Sequence, residues 1–205
     1  MAAAIPSNRM ILPREFYDRS TLKVARELLG AQLVRVVDGH RLVGVITEAE
    51  AYIGQNDLGC HAKAGRTPRT EVMFGPPGHA YVYFTYGNHW MLNVVTEREG
   101  FPAAVLIRAI RPVRGEAEMS RRRSGRDTLG PGKLTQALGI TGADNGLDLT
   151  KKRSRLWLEA GRPIPNSVVT KGPRVGLNTV PEPWKSKPWR FLVRDWPAAA
   201  GRTGP

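Results

Sequence analysis

Alternation with a period of two organises most of the patterned stretches of this 205-residue chain. On a strand, that period sends successive side chains to opposite faces. Gln32–Val37 alternates, Asp38-Gly39 supplies a turn and Arg41–Tyr52 returns, which predicts a hairpin. Tyr81–Tyr86 and His89–Val95 predict a second hairpin around Gly87-Asn88, where glycine accepts the positive φ of a tight turn. Ala103–Ile110 is a mostly apolar strand interrupted by Arg108, and shorter strands are predicted at Leu156–Leu158, Val168–Thr170 and Arg190–Arg194. Helical spacing is confined to short segments. Leu22–Leu29 follows a Ser20 cap and stops at Gly30, Glu116–Arg122 follows Pro112, and Leu134–Leu138 lies between Gly130-Pro131-Gly132 and Gly139. The class implied is α+β: one compact domain with a mixed, largely antiparallel sheet, a few short helices and a protruding hairpin. The domain is expected over residues 10–197, with weakly ordered small and polar tails at 1–9 and 198–205.

Three of these patterns carry candidate chemistry. In the stretch Ile46–His61, strand alternation puts Glu48, Glu50 and Tyr52 on one face and Thr47, Ala49 and Ala51 on the other. Residues two apart on a strand are separated by roughly 6.6 Å. At that distance two carboxylates in a cleft perturb each other, so the face reads either as a site or as a solvated strand face. Tyr86 falls at the tip of the second hairpin, where an aromatic ring is either a contact or wedge or is folded back onto its own strands. Arg108 inside an apolar run is either paired in a polar cavity or an edge-strand side chain reaching solvent.

Composition narrows the partner. Lys plus Arg number 31 against 18 acids, a formal charge of +13 that suits a polyanion, nucleic acid first. The cations cluster in RRRSGRD, which holds Arg121, Arg122 and Arg123, and at Lys133, beside a glycine-rich turn that opens a helix and could present backbone N–H groups to an anion. The single cysteine, Cys60, excludes an internal disulfide and a multi-cysteine zinc site. No apolar run approaches membrane-spanning length, and MAAAIPSNRM lacks the apolar core of a signal peptide. The expectation is a soluble intracellular protein of cytoplasm or nucleoid, with no membrane partner.

The ordered motifs TEAEAYIG, the following His61, YVYFTYG, MLNVV, LIRAIRP, GPGKL, PRVG and WRFLVR together resemble the alkyladenine (3-methyladenine) DNA glycosylase family, mammalian type, from about Leu12 to Arg194. The resemblance implies a metal-free and cofactor-free monomer acting on duplex DNA with damaged purines: 3-methyladenine, 7-methylguanine, hypoxanthine and ethenoadenine. It implies Glu50 as the base that activates water, and Arg108 as a holder of that water and the adjacent phosphate. Tyr52, His61 and Tyr83 would enclose the extruded base. Asn93 would crowd the 2-amino group of guanine, the Val175 carbonyl would bind water, and Tyr86 would fill the vacated stack. Tyr81 matches a neighbouring aromatic position. Gly130 and Gly132 stand where the family often has serines, Gly87-Asn88-His89-Trp90 replaces a more apolar hairpin segment, and Cys60 replaces a small apolar residue. Two other classes compete. A non-catalytic nucleic-acid-binding module leaves Glu48, Glu50 and Arg108 without purpose, and a carbohydrate hydrolase fits the paired carboxylates but not the charge.

Overall fold

The computed structural model describes residues 10–85, 87–151 and 153–194. Its centre is an eight-stranded sheet in which every paired strand runs antiparallel. The strands are β1 (Gln32–Val37), β2 (His40–Ile53), β3 (Ala80–Thr85), β4 (His89–Val95), β5 (Ala103–Arg114), β6 (Leu156–Glu159), β7 (Val169–Gly172) and β8 (Arg190–Val193). The main order is β3-β4-β5-β2-β1-β6, and β8 adds to β2 beyond the end of β1 while pairing with β7. Among the described residues, four short α-helices accompany the sheet: α1 (Arg14–Tyr17), α2 (Thr21–Glu27), α3 (Glu116–Arg122) and α4 (Pro131–Leu138). The fold is α+β. Tyr86, assigned to the hairpin tip, lies outside the described residues, as do the two tails.

Strand parity sorts the side chains into two compartments. Ala49 and Ala51 of β2, Ala80 and Val82 of β3, Leu92 and Val94 of β4, and Val105 and Ile107 of β5 join the main core with Val24 and Leu28 of the α2 segment and Leu134 and Leu138 of α4. Their odd-for-even neighbours (Tyr52, Tyr81, Tyr83, Asn93, Ala104, Leu106 and Arg108) border a cavity on the other face. Register shifts between β2 and β5 on both sides of Glu48 mark a bulge, the device by which a strand changes which residues face which side. Ile46 and Ala49 both reach the main core because of it.

Two local expectations meet a different solution. Ser20 flanks α2 but makes no side-chain cap; Glu97 instead accepts hydrogen bonds from the Thr21 amide and hydroxyl at 2.7 and 2.8 Å. The glycines opening α4 also have packing reasons. Gly130 sits at φ +138°, a backbone conformation that disfavours a side chain, and a Cβ on Gly132 would come within 2.8 Å of the His89 ring. The close approach of α4 to β4 therefore requires glycine at that second position.

Candidate active site

Glu50 has no solvent exposure, which removes the solvated-face reading of its strand. Its carboxylate collects three donors from three elements. Tyr52 Oη–H donates to Oε2 at 2.9 Å, Arg108 Nη1 donates to Oε2 at 3.2 Å, and the Val175 backbone N–H donates to Oε1 at 2.7 Å. Burial, the largest influence, pushes the Glu50 carboxyl above its ordinary range, against the pull of Arg108, the Val175 amide and Tyr52. Burial and the neighbouring Glu50 push the Tyr52 phenol up as well, which keeps it a protonated donor.

Arg108 lies on β5, between β4 and β2, and not on an edge strand. Its Nε donates to Glu48 Oε1 at 2.9 Å while Nη1 reaches Glu50. Glu48 also pairs with Arg190 Nε of β8 at 3.1 Å. One guanidinium thus bridges both carboxylates, which answers their mutual repulsion and gives Glu48 a role as the outer anchor of Arg108.

In front of this cluster is a cavity of about 290 Å³. Tyr52, His61, Tyr83, Asn93, Arg108 and Val175 all line it, so the fold brings together every described pocket residue expected from sequence except Glu50, which stands directly behind three of them. The Val175 contact to Glu50 is made by its amide N–H, a role not expected from sequence. The His61 ring meets Tyr83 edge-on with centroids 4.5 Å apart, and its Nδ1 shares a 3.0 Å hydrogen bond with the Tyr81 hydroxyl. Burial first, then the cations Arg69 and Lys63, lowers the His61 pKa to about 4, so its imidazole is neutral near pH 7. Asn93 is held by donating Nδ2–H to the Tyr81 carbonyl at 3.0 Å. Cys60 is buried: its Sγ accepts the Ala62 N–H at 3.5 Å at the start of the 3-10 turn carrying His61. It therefore supports the pocket wall from within.

Sequence reasoning missed a second buried ion pair. Arg174 donates through both Nη atoms to Asp57, at 2.5 and 2.7 Å, with neither side chain exposed. The same guanidinium donates to the Ala51 carbonyl at 3.1 Å and lies over the rings of Tyr52 and Trp189, at 4.6 and 5.0 Å. It ties the loop that supplies Val175 to the loop that leads to His61. The PRVG motif contains Arg174, but the sequence offers no sign that Asp57 is its partner.

The basic residues expected to hold phosphate have unequal surroundings. Among the described residues, Arg121 is exposed and pairs with Glu118, and Lys133 pairs with Asp127 at 3.1 Å across an exposed surface. Arg122 is mostly covered and held by Glu118 and Asp38. Arg123 is buried, donating to the Asp127 carbonyl and to Gln136, so it is built into the α3–α4 connection. Pro131, beside Lys133, lines the cavity, which places the start of α4 at the pocket's edge.

The sheet face thus holds a buried carboxylate under an aromatic cavity, on a strongly basic chain. Comparison with known proteins identifies the family. The chain matches the methylpurine-DNA glycosylase family over residues 15–197 and belongs to it. A protein of Myxococcus xanthus, named as a candidate 3-methyladenine DNA glycosylase, is 52% identical over 184 residues, 90% of each chain. A relative of the same designation from Methanocella arvoryzae is 47% identical over 94% of this chain and 96% of its own length, and one from Carboxydothermus hydrogenoformans is 48% identical over 91% and 96%. The chain is a DNA N-glycosylase of alkylation repair. These relatives are bacterial and archaeal. No helix among the described residues is long and apolar enough to cross a membrane.

Proposed function

We propose that this enzyme extrudes damaged purines from duplex DNA and hydrolyses their N-glycosidic bond with a water activated by Glu50. The observation that carries this reading is the buried Glu50 carboxylate, held by Tyr52, Arg108 and the Val175 amide directly behind a cavity whose walls are aromatic. A stacked base hides its glycosidic bond, so the nucleotide must leave the helix before a buried carboxylate can act at C1′. Tyr52 and Tyr83 offer ring faces to the extruded purine, worth roughly 1–3 kcal/mol per stacked base. As the base departs, the sugar takes on oxocarbenium character, and Glu50 both takes the proton of the attacking water and neutralises that charge. Arg108 and the Val175 amide keep the carboxylate oriented and ionised for that step. Among the described residues, no lysine lines the cavity, which favours direct hydrolysis over a Schiff base with strand cleavage.

Asn93, which lines the cavity, would exclude the 2-amino group of guanine, and hypoxanthine, ethenoadenine, 3-methyladenine and 7-methylguanine are the substrates proposed. Tyr86 would fill the gap left by the flipped nucleotide. Arg121, Arg122 and Lys133 would hold phosphate, Arg121 and Lys133 most readily because their cationic side chains are exposed. The enzyme would act as a monomer in the compartment that holds DNA, with the organisation of the mammalian-type enzymes. Incubation with duplexes containing hypoxanthine or 7-methylguanine, scored for free base and for strand integrity, tests this function. Release of free base from an intact strand is the expected result; strand cleavage would require an amine nucleophile, and binding without release would leave only a nucleic-acid-binding module.

A further inference from the structure

Two of the three tyrosines that line the cavity, Tyr52 and Tyr83, have a guanidinium over the ring. Arg174 lies 4.6 Å from the Tyr52 ring centroid, and Arg69 lies 5.1 Å from that of Tyr83. Tyr52 and Tyr83 line the cavity, whereas neither arginine does. The two cations differ in compensation. Arg174 is neutralised by its bidentate pair with buried Asp57. Arg69 is exposed, and its polar contacts among the described residues are the Phe84 carbonyl at 3.5 Å and the Tyr81 hydroxyl, neither of which carries a negative charge. It is also close enough to His61 to oppose protonation of that ring.

We infer that Arg69 is a specificity-determining residue that biases the pocket towards neutral damaged purines and against those that carry a fixed positive charge. The inference rests on the purine-excision reading of this cavity. An aromatic face attracts a cation through its quadrupole. When a guanidinium already engages the Tyr83 ring, a cationic base stacked on that ring meets a polarised partner and a like charge behind it. A neutral base loses little. A purine methylated at N7 is a fixed cation while attached to the sugar, whereas hypoxanthine and ethenoadenine are neutral, so lesion charge is the variable Arg69 reads. The ring of Tyr83 transmits the effect without Arg69 touching the base.

The test is single-turnover excision of 7-methylguanine, hypoxanthine and ethenoadenine from otherwise identical duplexes by wild type, Arg69→Gln and Arg69→Lys. Arg69→Gln should raise the 7-methylguanine rate relative to hypoxanthine by about twofold to fivefold, the scale of an exposed cation–π contact. The ratio of the two neutral lesions should stay within error, and Arg69→Lys, which keeps the charge, should restore much of the discrimination. An unchanged charged-to-neutral ratio, or an equal loss on all three lesions as expected of a lost phosphate contact, overturns the inference. A shift between the two neutral lesions as large as that for the cation also overturns it, because Arg69 would then act on pocket shape. Wild-type enzyme that releases none of the bases would refute the excision reading itself, and that result is separate from any comparison among the variants.

Discussion

Charged residues are handled in opposite ways on the cavity face and on the α3–α4 surface. In the cavity, Arg108 bridges Glu48 and Glu50, Glu48 has Arg190 as a further partner, and Arg174 is locked to Asp57. On the surface, the exposed cations Arg121 and Lys133 rest on Glu118, which is largely covered and shared with Arg122, and on the exposed Asp127. Exposed pairs of this kind are worth about 0–1 kcal/mol, so phosphate can replace the carboxylate at little cost. Buried charges that lose a partner are far more expensive. On the proposed function, charge assigned to chemistry is thus fixed in place before substrate arrives, and charge assigned to gripping a polyanion is held loosely enough to be exchanged. Arg122 and Arg123 mark the boundary: they belong to the same basic run, but their partners tie them into the fold.

The largest effect should come from Glu50. Glu50→Gln keeps the shape but cannot take a proton, so excision should fall by about 10²- to 10⁴-fold, the usual contribution of a positioned base, while binding to a hypoxanthine duplex persists. Loss of binding as well would show a packing role instead. In wild type, single-turnover excision should increase with pH as Glu50 ionises from its raised pKa and level off above it. Stability runs the other way. A carboxyl whose pKa is raised on folding favours the native state at low pH, and that contribution is lost as pH rises through the folded pKa. The thermal midpoint of Glu50→Gln relative to wild type should therefore be higher at pH 8 than at pH 5.

Asp57→Asn tests whether the second buried pair positions the site. It leaves Arg174 without its charge partner, which costs about 3–5 kcal/mol, or on the order of 10 °C in midpoint for a chain of this size. A drop of only a degree or two would mean that the Ala51 carbonyl and the flanking rings suffice for Arg174. In the same variant, a lower excision rate with unchanged damage binding would show that the Val175 amide has moved away from Glu50.

These two predictions also separate what sequence discloses from what it hides. Strand parity alone placed Glu50 and Tyr52, and Tyr81 and Tyr83, on common faces, and around the cavity the sheet keeps that parity up to the bulge at Glu48. The alternation flags Glu48, Glu50 and Tyr52 as one face, and the choice of Glu50 over Glu48 comes from its place two residues before Tyr52 and from the family resemblance. The bulge at Glu48 leaves no comparable trace, since both neighbours remain compatible with a strand. Asp57 and Arg174 lie 117 residues apart, and Glu97 caps α2 from 76 residues away. Such partners sit in loops without periodicity, where only the folded chain brings them together. Arg69 is nearer to Tyr83 in sequence but falls in a run of irregular turns that predicts no orientation.

A smaller effect, still on the cavity side, is expected from Asn93. Its amide is fixed to the Tyr81 carbonyl and lines the pocket, so Asn93→Ser should open space where a guanine 2-amino group would otherwise collide. The excision rate of guanine relative to hypoxanthine should rise by about tenfold, within the range that small changes in pocket volume achieve. An unchanged ratio would reduce Asn93 to a hairpin brace.

The smallest effects belong to the surface, and they test the comparison from its other side. Lys133→Gln and Arg121→Gln each remove one exposed cation whose intramolecular pair is weak, so neither should change thermal stability measurably. If these side chains exchange their carboxylates for DNA phosphate, each loss should weaken binding to undamaged duplex and lower the slope of log affinity against log salt by about one. Arg123→Gln should behave in the opposite manner. Its guanidinium is committed to the Asp127 carbonyl and Gln136, so the variant should lose stability while leaving the salt slope unchanged. Titrations of undamaged duplex between low and physiological salt, paired with melting curves for the same three variants, provide the measurement. A reduced salt slope for Arg123→Gln with an unaltered midpoint would show that this buried arginine turns outward to meet DNA, and the division between fixed and exchangeable charge would then have to be redrawn across the whole basic run.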